Sequence, residues 1–222
     1  MFDRVAPRYD ALNALMSAGL HDDWRRRAAS AANARLGDSI LDVCCGTGDL
    51  TLELAQRVGP SGTVLGCDFS GEMISRAAKK AEDRHLDQAR FEHADTLNLP
   101  YENESFAAAT MGFALRNLAD HEAGVAEMAR VVRPGGAVVV LEFTRPMRPP
   151  FSIFYDFWFD RLVPLFGRLS KDAAAYSYLP ASVREFTDPK GLAAMFANAG
   201  LAEIRYRILA GGIVTIHSGI RS

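Results

Sequence analysis

"LDVCCGTGDL" (residues 41–50) joins a short apolar run to a glycine-bearing turn and then opens into the amphipathic segment "GDLTLELAQRV". A strand that passes through such a turn into a helix exposes backbone N–H groups at the strand's carboxyl end. The same unit recurs outward from this point: "TVLGC" (63–67) leads into "SGEMISRAAKKAEDR", "RFEHA" (90–94) into a loop, and "FAAATM" (106–111) into "DHEAGVAEMARVV". "AVVVLEF" (137–143) follows the turn "RPGG". Strands alternating with helical periods predict an α/β fold, a doubly wound, Rossmann-like, mostly parallel sheet. At the far end, "TDPKGLAAMFANAGL" reads as a helix capped by Thr187 and closed near Gly200. "AEIRYRI" and "GIVTIHSG" follow, joined only by "LAGG", a link short enough to demand an antiparallel hairpin as strands six and seven.

Composition narrows the function. The 222 residues are 49% hydrophobic and 23% charged with a formal net charge of −2, which suits one domain over 1–222 and supplies no basic field for nucleic acid. No apolar run reaches the length of a membrane span and "MFDRVAPRYD" has no apolar centre, so a cytoplasmic protein is expected. Three cysteines, two of them adjacent and none in a CxxC pair, predict neither a disulfide framework nor a metal site.

The turn is not a dinucleotide fingerprint, because G-x-G-x-x-G needs glycine where Thr51 stands. Asp42 ends the strand and Asp49 opens the helix, and two carboxylates repel a pyrophosphate but welcome a cationic nucleoside. S-adenosylmethionine is such a ligand. Asp68, 20 residues beyond Gly48 at the end of the second strand, is placed for ribose hydroxyls, and Asp95 follows the third strand near the adenine. Cys44 and Cys45 are read as small loop residues lining the methionine part.

With these residues in place, the sequence resembles the class I S-adenosylmethionine-dependent methyltransferases, and more narrowly the ubiquinone/menaquinone biosynthesis C-methyltransferase family. The resemblance rests on "YDALNALMSAGLHDDW" (9–24) and "RVVRPGGAVVVLEFTRP" (130–146), supported by "MGFALRNLAD" (111–120) and "GDLT" (48–51), and runs from Phe2 to the last residues. Departures are the two cysteines, Gly112 and Thr144, which put individual cofactor contacts in question. The resemblance implies methyl transfer to a ring carbon of a polyprenyl quinol, with demethylmenaquinol favoured over a benzoquinol or phytyl naphthoquinol. It implies cofactor contacts from Thr47, Asp68, Asp95 with Thr96, and the position of Gly112, which join Asp42, Gly46 and Gly48 read from the turn itself. Rival readings are a methyltransferase for another lipophilic phenol, a nicotinamide dehydrogenase, and a cofactor-binding scaffold without activity.

Arg116 and Asn117, in the loop after the fourth strand, are the groups expected to act on the acceptor, the guanidinium opposite the quinol oxygen. Tyr9, closing over the cofactor, and His21, as a base or as a brace for the N-terminal helices, come next; Trp24 is read as core. Residues 1–36 form a helical cap broken at Gly19, and residues 146–180 an aromatic insertion. Phe151, Phe154, Tyr155, Trp158, Phe159 and Leu162 recur at helical spacing there. Two readings stand: a helix packed on the sheet or across a homodimer interface, or a lid guiding an isoprenoid tail with the protein resting on the membrane. Pro149 and Pro150 would hinge that lid, and Tyr176 and Tyr178 would border the ring pocket.

Overall fold

A computed structural model describes residues 17, 19–146, 149 and 182–222. Seven strands form one sheet in the order β3-β2-β1-β4-β5-β7-β6: β1 (Ser39–Val43), β2 (Thr63–Asp68), β3 (Ala89–His93), β4 (Phe106–Gly112), β5 (Val132–Phe143), β6 (Leu201–Leu209) and β7 (Val214–Arg221). The first five are parallel, whereas β7 runs antiparallel to both β5 and β6. The expected C-terminal hairpin is therefore present, but only β7 reverses direction, and β6 returns parallel to the rest. The turn Ala210–Gly212 makes this possible through left-handed Gly211, φ +67°.

Five α-helices lie wholly within the described residues: α1 (His21–Ala31), α2 (Asp49–Val58), α3 (Gly71–Asp83), α4 (His121–Val131) and α5 (Pro189–Asn198). Alternation along β5 shows how they divide. Val138 and Val140 enter a core with Val125 and Met128 of α4 and Phe196 of α5. Val139 and Leu141 enter another with Trp24 and Ala28 of α1 and Leu54 of α2. A central strand apolar on both faces is what two helical layers require. Trp24 is core, as expected.

Helix starts follow local chemistry. Ser70 Oγ accepts the Met73 N–H, and the Asp120 carboxylate accepts that of Ala123. For α5 the cap is Asp188, which accepts the Gly191 N–H at 2.8 Å, and not Thr187 as the sequence suggested. Pro189, with its fixed φ, suits the first helical position and sets the start one residue later. Among the described residues, no helix is long and apolar enough to cross a membrane.

Parallel register brings four strand ends to one edge: Val43 lies beside Cys67 and Met111, and Asp68 beside His93. Ligands of open α/β sheets gather at this carboxyl edge.

Candidate functional site

A cavity of about 300 Å³ opens at that edge, and a smaller one of about 30 Å³ adjoins it. Cys44, Gly46, Gly112 and Phe113 line both, so the two are lobes of one site with these residues at the junction.

The turn after β1 is shaped by left-handed backbone. Gly46 and Gly48 have φ of +56° and +83°. A Cβ on Gly46 would meet no atom within 4 Å, leaving space on the cavity side, whereas one on Gly48 would stand 2.8 Å from Ala77 Cβ and 3.0 Å from the Phe91 ring. Gly48 is thus demanded by packing, and Gly46 by conformation and access. Cys44 adopts φ +53° without being glycine, a conformation that costs a side-chain-bearing residue about 1–2 kcal/mol. Its Sγ rests 3.0 Å from Thr96 Oγ1. Burial pushes the Cys44 thiol up to about 12, the Thr96 contact opposing and Asp68, Asp42 and Asp95 reinforcing the rise. The Cys45 thiol is raised too, chiefly by burial.

Asp68 sits at the rim of the large lobe, where its Oδ2 accepts the Gly46 N–H and its Oδ1 the Ser70 N–H, both at 2.9 Å. The two bonds orient the carboxylate at the cavity rim. Asp95, Thr96 and Gly112 line the same lobe. Asp95 Oδ1 accepts the Leu97 N–H, which fixes the loop after β3. Thr47 lines the small lobe and its hydroxyl accepts from Lys80 Nζ at 3.0 Å.

The acidic lip read from the sequence is more nearly neutral than expected. Asp49 pairs with Arg25 at 3.0 Å and with Lys80 at 2.8 Å, so its charge is compensated within the protein. Asp42, 1% exposed, lines the small lobe and accepts from Thr51 Oγ1 at 2.6 Å and Thr110 Oγ1 at 2.7 Å. Burial raises its carboxyl to about 6, against the two threonine hydroxyls and the Arg25 charge, which favour the ionised form.

Two expected acceptor-side groups lie elsewhere. The Arg116 side chain, 7% exposed, pairs with Glu142, 0% exposed, at 2.7 Å. Its Nη1 also donates to the Phe113 carbonyl and its Nε to Ser182 Oγ at 3.3 Å, and it lines neither lobe. The guanidinium expected opposite a quinol oxygen is here paired with a buried carboxylate. Glu142, hidden in the apolar run "VVVLEF", is what turns it inward. Asn117, by contrast, lines the large lobe. His21 stands in the first turn of α1, 2.7 Å from Ser17 Oγ and 3.4 Å from Asp22, and lines neither lobe. Tyr9, the helix before Gly19, residues 151–166, Pro150, Tyr176 and Tyr178 lie outside the described residues.

Sequence reasoning missed Phe69, 74% exposed at the rim against His93, and Phe113, whose φ is +60°. Phe69 was within reach: an aromatic residue between a strand-end aspartate and a serine helix cap has no core to enter.

The sequence profile of the ubiE/COQ5 methyltransferase family matches residues 1–221. A demethylmenaquinone methyltransferase of Desulfitobacterium hafniense is 45% identical over 220 residues, 98% of this chain and 87% of that protein. One of Thermus thermophilus is 45% identical over 222 residues and the whole of both chains. Among solved structures, a SAM-dependent methyltransferase of Thermotoga maritima, described as a possible histamine N-methyltransferase, superposes with TM-score 0.70 at 15% identity over 100% of this chain and 98% of that one. A SAM-dependent methyltransferase of Aquifex aeolicus does so with TM-score 0.65 at 16% identity over 89% of each chain. At such identities the structural likeness speaks to the fold.

Proposed function

The chain belongs to the ubiE/COQ5 methyltransferase family, and from that membership and the two-lobed cavity we propose that it methylates a ring carbon of a polyprenyl naphthoquinol, demethylmenaquinol, to give menaquinol. The single observation that carries the site is the junction of the lobes at the GTG turn, flanked by Asp68 and Asp42.

The residues present fit S-adenosylmethionine. Gly46 leaves open space where a side chain would intrude, and the rim carboxylate of Asp68 would take the ribose hydroxyls. Phe69 and Leu97 offer apolar walls for a base, with Asp95 and Thr96 at its edge. Asp42, buried and raised to about 6, is a carboxylate awaiting a cation, which the amino group would provide. When bound, the cofactor supplies an electrophilic methyl group on a sulfonium.

The chain's part is to admit, orient and ionise the acceptor. Phe113, Ala114 and Leu118, from the loop that also carries Asn117, supply apolar surface for the naphthalene ring beside the cofactor. A phenol-like hydroxyl, with a pKa of about 10, is ionised in only about one molecule in a thousand near neutrality, and the ionised form delocalises charge onto the ring carbon that attacks. Asn117, the acceptor-side group on the cavity wall, would donate an amide N–H to that oxygen and favour the ionised form. Excluding water protects the sulfonium and strengthens this bond.

A polyprenyl tail resides in a bilayer, and the exposed ring of Phe69 beside the cavity supports a reading in which that side of the protein meets the membrane surface. Co-sedimentation with lipid vesicles, reduced by Phe69→Asp, tests that placement; equal sedimentation of both proteins refutes it. The activity is tested with radiolabelled S-adenosylmethionine and demethylmenaquinol or a benzoquinol analogue, each reduced and oxidised. Label in the reduced naphthoquinol alone, lost in Asp68→Ala, is the expected result. Label in the benzoquinol alone, or in neither, overturns the reading.

A further inference from the structure

We propose that Phe113 is a positioning residue of the methyl-transfer site, held in a left-handed backbone conformation by Arg116 and Glu142 so that its ring fixes the junction between the methyl donor and the acceptor; the acceptor's identity rests on the reading above. Among the described residues, Cys44 and Phe113 are the non-glycine positions with positive φ that line either lobe, and both stand at the junction. A left-handed phenylalanine is disfavoured by about tenfold in population, so neighbouring bonds must hold it.

Those bonds are present on both sides of the residue. The Phe113 N–H donates to the Leu141 carbonyl at 2.7 Å, and its own carbonyl accepts from Arg116 Nη1. Arg116 is itself anchored: Glu142 Oε1 accepts from Nη1 at 2.7 Å and Oε2 from the Arg116 N–H at 3.2 Å. The Glu142 carboxylate is in turn fixed by the Phe143 N–H at 2.8 Å. An ion pair with one partner fully buried is costly to assemble, and here it ends on one strained carbonyl. The Phe113 ring then lodges between two aromatic neighbours, 4.5 Å from Phe143 and 6.2 Å from Trp24. Trp24 belongs to α1 and Phe143 to β5, so the ring ties both to the cavity wall. A ring so fixed at the place shared by the two lobes sets the line along which a methyl group and an acceptor carbon meet, where small displacements are expensive.

The test is a double-mutant cycle. Arg116→Gln combined with Glu142→Gln removes the clamp while leaving no lone buried charge, and Phe113→Gly accepts positive φ without help. Titration calorimetry gives S-adenosylmethionine affinity in each background, and amide hydrogen exchange of residue 113 is followed in the cofactor-free protein. The expected result is about tenfold weaker binding and about tenfold faster exchange for the paired variant in the Phe113 background, falling to less than about threefold once Phe113→Gly is present. An equal penalty in both backgrounds overturns the proposal. So does an alkaline shift in the pH profile of kcat in the paired variant, which would mean that Arg116 acts on the ionising acceptor. A pH profile that keeps its position while its plateau falls supports the clamp. Should the unaltered enzyme fail to methylate demethylmenaquinol, the functional reading falls, while affinity and exchange still judge the clamp.

Discussion

Replacing Asp42 by asparagine should stabilise the protein and weaken its cofactor site at once. Burial raises the Asp42 carboxyl from 3.8 to about 6. At about 1.4 kcal/mol for each tenfold change in proton affinity, keeping it ionised at pH 7 costs the fold about 3 kcal/mol. The sign follows from the raised value. Below pH 4 both folded and unfolded chains carry the proton and nothing is lost; between pH 4 and 6 the unfolded chain ionises first and stability falls; above pH 6 the loss is complete. Asparagine never ionises, and its amide can still meet the Thr51 and Thr110 hydroxyls, which rotate to suit. Urea unfolding at pH 7 should therefore find Asp42→Asn more stable by about 3 kcal/mol, with the advantage gone at pH 4. S-adenosylmethionine, whose ammonium would repay the ionised carboxylate, should bind the variant at least about tenfold more weakly, as loss of a charge-assisted bond implies. A variant no more stable than the parent at pH 7, or a difference that ignores pH, would refute the argument.

His217 provides the acid-side counterpart. It is buried, its Nε2–H donates to the Pro189 carbonyl at 2.8 Å, and burial lowers it to about 4 while that bond opposes the fall. Stability should drop by about 3 kcal/mol as pH falls from 6.5 to 4, and His217→Gln, which keeps a donor but does not titrate, should flatten that limb in pH-resolved melts. Gly48→Ala would place a Cβ 2.8 Å from Ala77 Cβ at φ +83°, so a loss of about 3 kcal/mol in unfolding free energy is expected, and a loss below 1 would contradict the packing. The Cys44 thiol, raised to about 12, should alkylate with iodoacetamide at pH 8 far more slowly than a free thiol, and labelling at the free-thiol rate would show the pocket to be wetter than described.

The fold was legible because its signals are local and repeated. Strand boundaries at Asp68 and Phe143 and the Asp120-capped helix follow from period, β-branching and caps that act within a few residues. The strand-end aspartates were legible for the same reason, since a turn after a parallel strand must face the carboxyl edge. What the sequence hid are partnerships across the sheet. Glu142 pairs with Arg116 over 26 positions, and Arg25 and Lys80 reach Asp49 from separate helices. Nothing in the neighbouring residues announces such a pair, so Arg116 reads as a free cation until β5 is laid beside the loop. Phe113 escaped because positive φ on a phenylalanine has no compositional mark, unlike the glycines of the GTG turn.

The most direct measurement is the position of the transferred methyl group. The enzyme would be given trideuteromethyl S-adenosylmethionine and reduced demethylmenaquinone, and the extracted lipid oxidised in air before mass and proton resonance analysis. Transfer to carbon predicts a product that gains the labelled methyl, loses the ring proton and still oxidises to the quinone. A labelled product that resists oxidation, its methyl on oxygen, or no labelled naphthoquinone at all, would contradict the account.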